Sequence, residues 1–147
     1  MEARKGLVVL AVCLGMLVAA LDATIVGTAM PTVVASLGGL PLYAWVFSIY
    51  MLAATTTMPL FGKLSDLYGR RRLFLAAIGI FTAGSALCGA AASMPQLIGA
   101  RAVQGLGAGG IFSLAQAIFG DLFSPAERGR MQGYLASVWG LSSIVGP

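Results

Sequence analysis

Two ionisable residues stand where ionisation is expensive. Asp22, in the stretch "LDATIVGTAMP" (Leu21 to Pro31), is the only charged residue between Lys5 and Lys63, and Arg101 is the only one between Arg72 and Asp121. A charge held at the middle of a bilayer costs at least about 2.5 to 3.5 kcal/mol on insertion scales, and such groups mark ion or proton pathways by default. Burial disfavours an ionised carboxylate, whereas a nearby guanidinium favours it. A carboxylate subject to both influences can change protonation as its surroundings open to one side or the other, which is the chemistry of proton exchange. Other chemistry is nearly excluded. Without a single His, neither a Ser-His or Cys-His nucleophile nor the usual mixed metal site can be assembled, so an enzyme, a metal and a cofactor are not expected. Cys13 and Cys88 fall mid-run, far apart in sequence, and read as small apolar residues. "GLGAGG", Gly105 to Gly110, satisfies G-x-G-x-x-G in letters only, because a nucleotide site needs a preceding strand and a βαβ unit. Its better reading is a small-xxx-small face at Gly105 and Gly109 that admits a neighbouring backbone.

The elements that would carry these groups are membrane helices. The 147 residues are 59% hydrophobic and 10% charged, with a mean hydropathy of +0.92, whereas soluble domains carry about a quarter charged residues. Apolar runs at 6–30, 43–61, 73–93 and 97–120 each approach the ~20 residues that cross a ~30 Å hydrocarbon core. A fifth, 131–147, is still apolar at Pro147 and is expected to remain helical there. Backbone in lipid must satisfy its own hydrogen bonds, and barrel-like alternation is absent, so the expected fold is an all-α bundle.

Orientation follows from the bases. Eight of the nine Lys and Arg precede the first run (Arg4, Lys5), separate the second from the third (Lys63, Arg70, Arg71, Arg72) or separate the fourth from the fifth (Arg128, Arg130). The connections 31–42 and 94–96 have none, which places the N-terminus and both basic loops in the cytoplasm. The net charge of +4 then reflects topology, and no nucleic-acid partner is expected. Pro41 and Pro95 stand just ahead of spans, Tyr43 and Trp45 suit the outer interface, and "SPAER" reads as a capping box of Ser124 and Glu127 that starts the fifth helix near Pro125. A signal-peptide reading of "MEARK" and the run to Ala20 competes, but Asp22 lies within a run that continues to Met30.

On these spans Arg101 lies ~6 Å of helix rise below the outer end of its run, and Asp22 ~12 Å below the outer end of the first. Arg101 could snorkel to the interface. Gln104 and Gly105 share its face, however, and a polar, small stripe suits a helix interior or watery cavity better than lipid. The Asp22 face includes Gly15, Ala19 and Ala29, so it also points away from lipid, toward either a structural hydrogen bond or a proton site.

The motifs resemble those of the major facilitator superfamily. "GKLSDLYGRRRLF", Gly62 to Phe74, is similar to its signature between helices two and three, G-x-L-a-D-r-x-G-r-k. Gly62, Leu64, Asp66, Gly69, Arg70 and Arg71 match, and Leu67 replaces a frequent base. "RAVQGLGA" resembles the helix-four signature R-x-x-Q-G-x-G-A through Arg101, Gln104, Gly105 and Gly107. The opening stretch, with Asp22 and Thr24, is similar to the L-D-x-T-I-V-N-x-A-x-P pattern of helix one in the fourteen-helix multidrug:proton antiporters, with Gly27 in place of Asn. "SSIVGP" resembles the start of the helix-five antiporter signature through Ser142, Gly146 and Pro147.

This resemblance implies a partial N-terminal six-helix bundle over residues 1–147: four complete spans and a truncated fifth, from an N-terminal fragment or a truncated gene product. It implies a multi-pass protein of the cell membrane that exports hydrophobic or cationic drugs in exchange for protons, with the bilayer, the small-molecule substrate, protons and the remainder of the transporter as partners. Helices one and four would line the cavity, which makes Asp22 and Arg101 the proton-coupling pair, with Thr24, Gln104 and Gly105 as support. Gly62 and Gly69 would permit tight reversals, and Asp66 would bond Arg70 in a cytoplasmic latch that faces the second bundle, against the plainer reading of a solvated anchor. Another carrier of the superfamily, for a sugar or metabolite, is one alternative. A non-transporting tetraspan interaction protein, in which Asp22 and Arg101 pair helices, is the other.

Overall fold

The structure, a computed structural model, describes residues 2–147. The elements are α1 (Glu2–Leu37), a 3₁₀ turn (Leu40–Leu42), α2 (Tyr43–Tyr68), α3 (Arg70–Gly89), α4 (Met94–Leu122) and α5 (Pro125–Val145), with no strand among the described residues. Among the described residues four stretches are long and apolar enough to cross a membrane: Ala3–Leu37, Leu40–Tyr68, Arg70–Gly89 and Met94–Leu122. The expected all-α architecture is therefore present, with α5 as a fifth helix.

Several boundaries differ from expectation. The first helix was to end at Met30, but α1 continues through Pro31 to Leu37. Hydrocarbon offers the backbone no alternative to helix, so a proline that would stop a soluble helix is accommodated. The stop comes at Gly38 and Gly39, with φ of 71° and 78°. A side chain at Gly39 would also meet Met94 Cβ at 2.9 Å. The loop expected over Gly62 to Phe74 is mostly helix: α2 runs past Gly62 to Tyr68, where the Ser65 hydroxyl bonds the Gly62 carbonyl at 2.7 Å. Gly62 makes no reversal. Gly69 alone separates α2 from α3, at φ 91° and ψ 140°, a conformation that L side chains rarely adopt. Arg70, Arg71 and Arg72 consequently form the first turn of α3. At the other end of the chain α5 finishes at Val145, and Gly146 and Pro147 lie outside the helix that was expected to contain them.

Residue contacts divide the chain into two compact units, Ala29–Leu114 on the one hand and Met1–Thr28 with Ala115–Pro147 on the other. In the first, α4 uses small residues on two faces. Gly105 and Gly109 meet α2: a β-carbon at Gly105 would lie 2.5 Å from the Tyr50 carbonyl oxygen, and one at Gly109 would strike the Ala54 carbonyl and the Thr57 hydroxyl. Gly107 and Gly110 meet α3, where added carbons would strike the Phe81 amide and lie 2.7 Å from Ala77 Cβ. Helix backbones thus come close enough for dispersion and weak polar contacts to hold them without a hydrophobic drive from water.

In the second unit α5 starts with the Ser124–Glu127 pairing anticipated from the sequence. The Glu127 carboxylate accepts from the Ser124 amide and hydroxyl, both at 2.9 Å. Arg128 reaches back to the Gly120 carbonyl at 2.7 Å and the Phe123 carbonyl at 3.3 Å, satisfying acceptors that the end of α4 leaves free. Farther along, Gln132 of α5 donates to Gln116 of α4 at 2.8 Å.

Candidate functional site

Arg101 belongs to the first unit and is 2% exposed. Because α4 begins at Met94, it lies about 10 Å of rise inside the helix, deeper than the sequence reading placed it. It does not snorkel. Its guanidinium donates through Nη1 to Gln104 Oε1 at 2.7 Å and through Nε, weakly, to the Val46 carbonyl at 3.5 Å. The Tyr50 ring covers it, with Cζ 4.1 Å from the ring centroid.

The sequence builds this setting one turn at a time. Gln104 is fully buried and follows Arg101 by three positions, so the two side chains meet on one face of α4. Gly105, next in line, lets the α2 backbone settle at Tyr50, which brings that ring over the guanidinium. On the α3 side, Gly84 leaves room for the Gln104 backbone, whose Cα would lie 2.6 Å from an added β-carbon. Cys88, one turn beyond Gly84, then donates its thiol to Gln104 Oε1 at 3.5 Å. Cys88, expected to be a small apolar filler, is thus part of the polar network. Tyr50, Gly84 and Cys88 were absent from the expected site. A residue's letter does not reveal which neighbouring helix it will face.

Asp22 lies in the second unit, half-buried on α1. It stands about 22 Å of rise from the C-terminal end of α1, which the continuation through Pro31 has moved outward. Gly15 and Ala19, on its face, are buried, and Ala29 is half-buried. Thr24, two residues beyond Asp22, bonds the Leu21 carbonyl at 2.9 Å and lies 3.4 Å from the Ser142 carbonyl of α5. A β-carbon at Gly146 would collide with the Thr24 hydroxyl. The structure therefore brings together Thr24 and Gly146, residues from two different motifs. Pro147 follows outside the helix.

At the α2–α3 junction Arg70 meets Asp66 at 3.1 Å and donates to the Ser65 hydroxyl at 2.7 Å. Ser65, 2% exposed, was not among the expected residues, although it precedes Asp66 directly. Asp66 and Arg71 are exposed. An exposed i,i+4 pair of this kind stabilises only weakly. At the start of α5 the Glu127 carboxyl is held below its usual range, chiefly by the Ser124 amide, then by the Ser124 hydroxyl, with Lys5 and Arg130 adding to the effect.

Comparison with known proteins agrees with this architecture. The model of the Major Facilitator Superfamily matches residues 12–147, and the chain belongs to that superfamily. It is 50% identical over 146 residues to Multidrug resistance protein 3 of Bacillus subtilis (strain 168), covering 99% of this chain and 28% of that protein. It is 43% identical over 146 residues to Efflux pump FUS6 of Gibberella moniliformis (99% of this chain, 26% of that protein). Against Multidrug transporter protein MdtP of Bacillus subtilis (strain 168) the figure is 42% over 146 residues (99% and 27%). The chain spans about a quarter of the length of these curated relatives. With its apolar helices it is an integral membrane protein of the major facilitator fold.

Proposed function

We propose that these residues form most of the N-terminal bundle of a proton-coupled exporter of hydrophobic or cationic drugs, set in the plasma membrane with its N-terminus in the cytoplasm. The observation that carries the reading is the buried, fully partnered guanidinium of Arg101 inside an apolar span. Retaining such a charge in a helix surrounded by lipid has a cost that a helix-pairing role does not require, because a neutral amide would pair helices as well. The names of the relatives, a multidrug resistance protein, an efflux pump and a multidrug transporter, favour drug export over a sugar or metabolite carrier.

In this reading Asp22 takes up a proton when the cavity opens outward and releases it when a drug enters from the cytoplasm, and Arg101 stabilises the ionised form. Thr24, Gln104 and Gly105 support the two. Gly62, Asp66, Gly69, Arg70 and Arg71 serve as the cytoplasmic latch toward the second bundle, and Gly146 and Pro147 shape helix five against Thr24. The test is export of ethidium, a lipophilic cation, from vesicles that contain an intact transporter carrying these residues, under an imposed proton gradient. Export should stop when a protonophore dissipates the gradient. Uphill export that continues with the protonophore present would exclude proton coupling.

A further inference from the structure

We propose that Tyr50 is a positioning residue for Arg101: its ring carries the guanidinium charge through the part of the transport cycle in which the carboxylate served by Arg101 is protonated. The inference rests on the proton-coupling role proposed above for Arg101. A guanidinium stays charged throughout, since it does not deprotonate in proteins, and a buried charge without a partner is strongly unfavourable. The cycle therefore needs acceptors that do not disappear when a carboxylate is neutralised.

Groups of this kind lie against Arg101. Gln104 Oε1 at 2.7 Å accepts one hydrogen bond, and the Val46 carbonyl at 3.5 Å accepts a weak second. Both lie at the edge of the guanidinium plane. The Arg101 Cζ lies over the Tyr50 ring, 4.1 Å from its centroid, and that π surface has no proton to gain or lose. Tyr50 is 8% exposed, so water screens the contact little. The spacing is fixed by main chain. Because Gly105 has no β-carbon, the Tyr50 Cα and carbonyl oxygen settle where such an atom would lie 3.1 and 2.5 Å away. The ring is consequently held by backbone packing one turn from the charge it covers.

The test uses an intact transporter carrying these residues, with ethidium as the probe, and compares the parent with Tyr50→Phe, Tyr50→Leu, Tyr50→Met and Arg101→Ala. Binding of ethidium, its exchange without a gradient, and its gradient-driven export are measured on each. Tyr50→Leu and Tyr50→Met should bind and exchange ethidium but lose gradient-driven export by about thirtyfold, as expected for removing a desolvated cation–π contact. Tyr50→Phe, which keeps the ring, should retain export. Parent-like export by the Leu and Met variants, with Arg101→Ala uncoupled, would overturn the inference alone. So would loss of export in Tyr50→Phe, which would assign the role to the hydroxyl. Parent-like coupling in Arg101→Ala would overturn the underlying reading instead. Should the Leu and Met variants fail to fold, adding Arg101→Ala to each should restore folding, because the uncovered charge is then gone. Failure of that rescue would make Tyr50 a packing residue and overturn the proposal.

Discussion

The Arg101 Cζ lies 4.1 Å from the centre of the Tyr50 ring while its Nη1 bonds Gln104 Oε1 at 2.7 Å, so one planar ion holds an aromatic and a hydrogen-bonded contact at once. A lysine ammonium is a point charge on a flexible stem and cannot reproduce both contacts. Arg101→Lys in the intact transporter should therefore fold and bind ethidium but export it several-fold more slowly than the parent, whereas Arg101→Ala should abolish gradient-driven export. Vesicle efflux measured on all three proteins checks the order.

Asp22→Asn keeps size and hydrogen-bonding capacity but removes the titratable charge. Insertion and folding should survive or improve, given the cost of a carboxylate within a span. Substrate-induced proton release from purified transporter should vanish, and uphill efflux with it. An Asp22→Asn protein that exports against a gradient at the parent rate would make the carboxylate a structural tie.

Not every glycine in α4 is constrained alike. Gly107→Ala would drive a methyl group into the Phe81 amide and to 2.7 Å from the Ala77 carbonyl, main-chain atoms that cannot turn aside. It should lower stability by about 1 to 3 kcal/mol, the usual cost of overpacking. Gly99 has open space around it, and Gly99→Ala should be neutral or stabilising by up to about 1 kcal/mol through helix propensity. Thermal unfolding in detergent, followed by circular dichroism, separates the two.

Glu127 gives the start of α5 a pH dependence of defined sign. Its carboxyl is depressed in the folded chain by the bonds from Ser124, with a reference value of 4.5. A depressed folded value means that the stabilisation is complete above the unfolded value and disappears as pH falls through the lower, folded one. Melting of the parent should weaken below about pH 4.5 more than melting of Glu127→Gln, which has no charge to lose there. Parallel melting curves for the two proteins across that interval would show that the cap does not titrate in this way.

Topology is open to direct chemical labelling. Ser65 would be a poor cysteine site, since it is 2% exposed and bonded to Arg70. Leu67, 78% exposed on the last turn of α2, and Ser36, exposed near the end of α1, serve better. In a background lacking Cys13 and Cys88, an impermeant thiol reagent should reach Leu67→Cys from the cytoplasm and Ser36→Cys from outside. Cytoplasmic labelling of Ser36→Cys would reverse the assignment.

The spans were legible because lipid enforces a long apolar period that composition cannot hide, whereas the Asp66–Arg70 pair was expected from the resemblance alone, since it joins the last turn of α2 to the first of α3 across Gly69. Residues that meet across helices were less so. Gly105 and Gly109 announced a packing face, but Gly107 and Gly110 stand on another side of α4 and acquire meaning only when α3 is present. Tyr50 looked no different from the interfacial aromatics Tyr43 and Trp45. Pro31 and Gly62 were misread for a shared reason: their reputation as helix breakers is earned in water, where a broken helix can hydrogen-bond to solvent.

A connection of one residue has no slack in phase. Each residue added to a helix turns everything beyond it by about 100°, and between α2 and α3 there is only Gly69 to absorb the change. Most connecting segments tolerate insertions because they lie over a surface. Here one inserted residue would swing Gly84 and Cys88 away from Gln104, so variation in length between Tyr68 and Arg70 should be excluded even where substitutions at neighbouring exposed positions are tolerated.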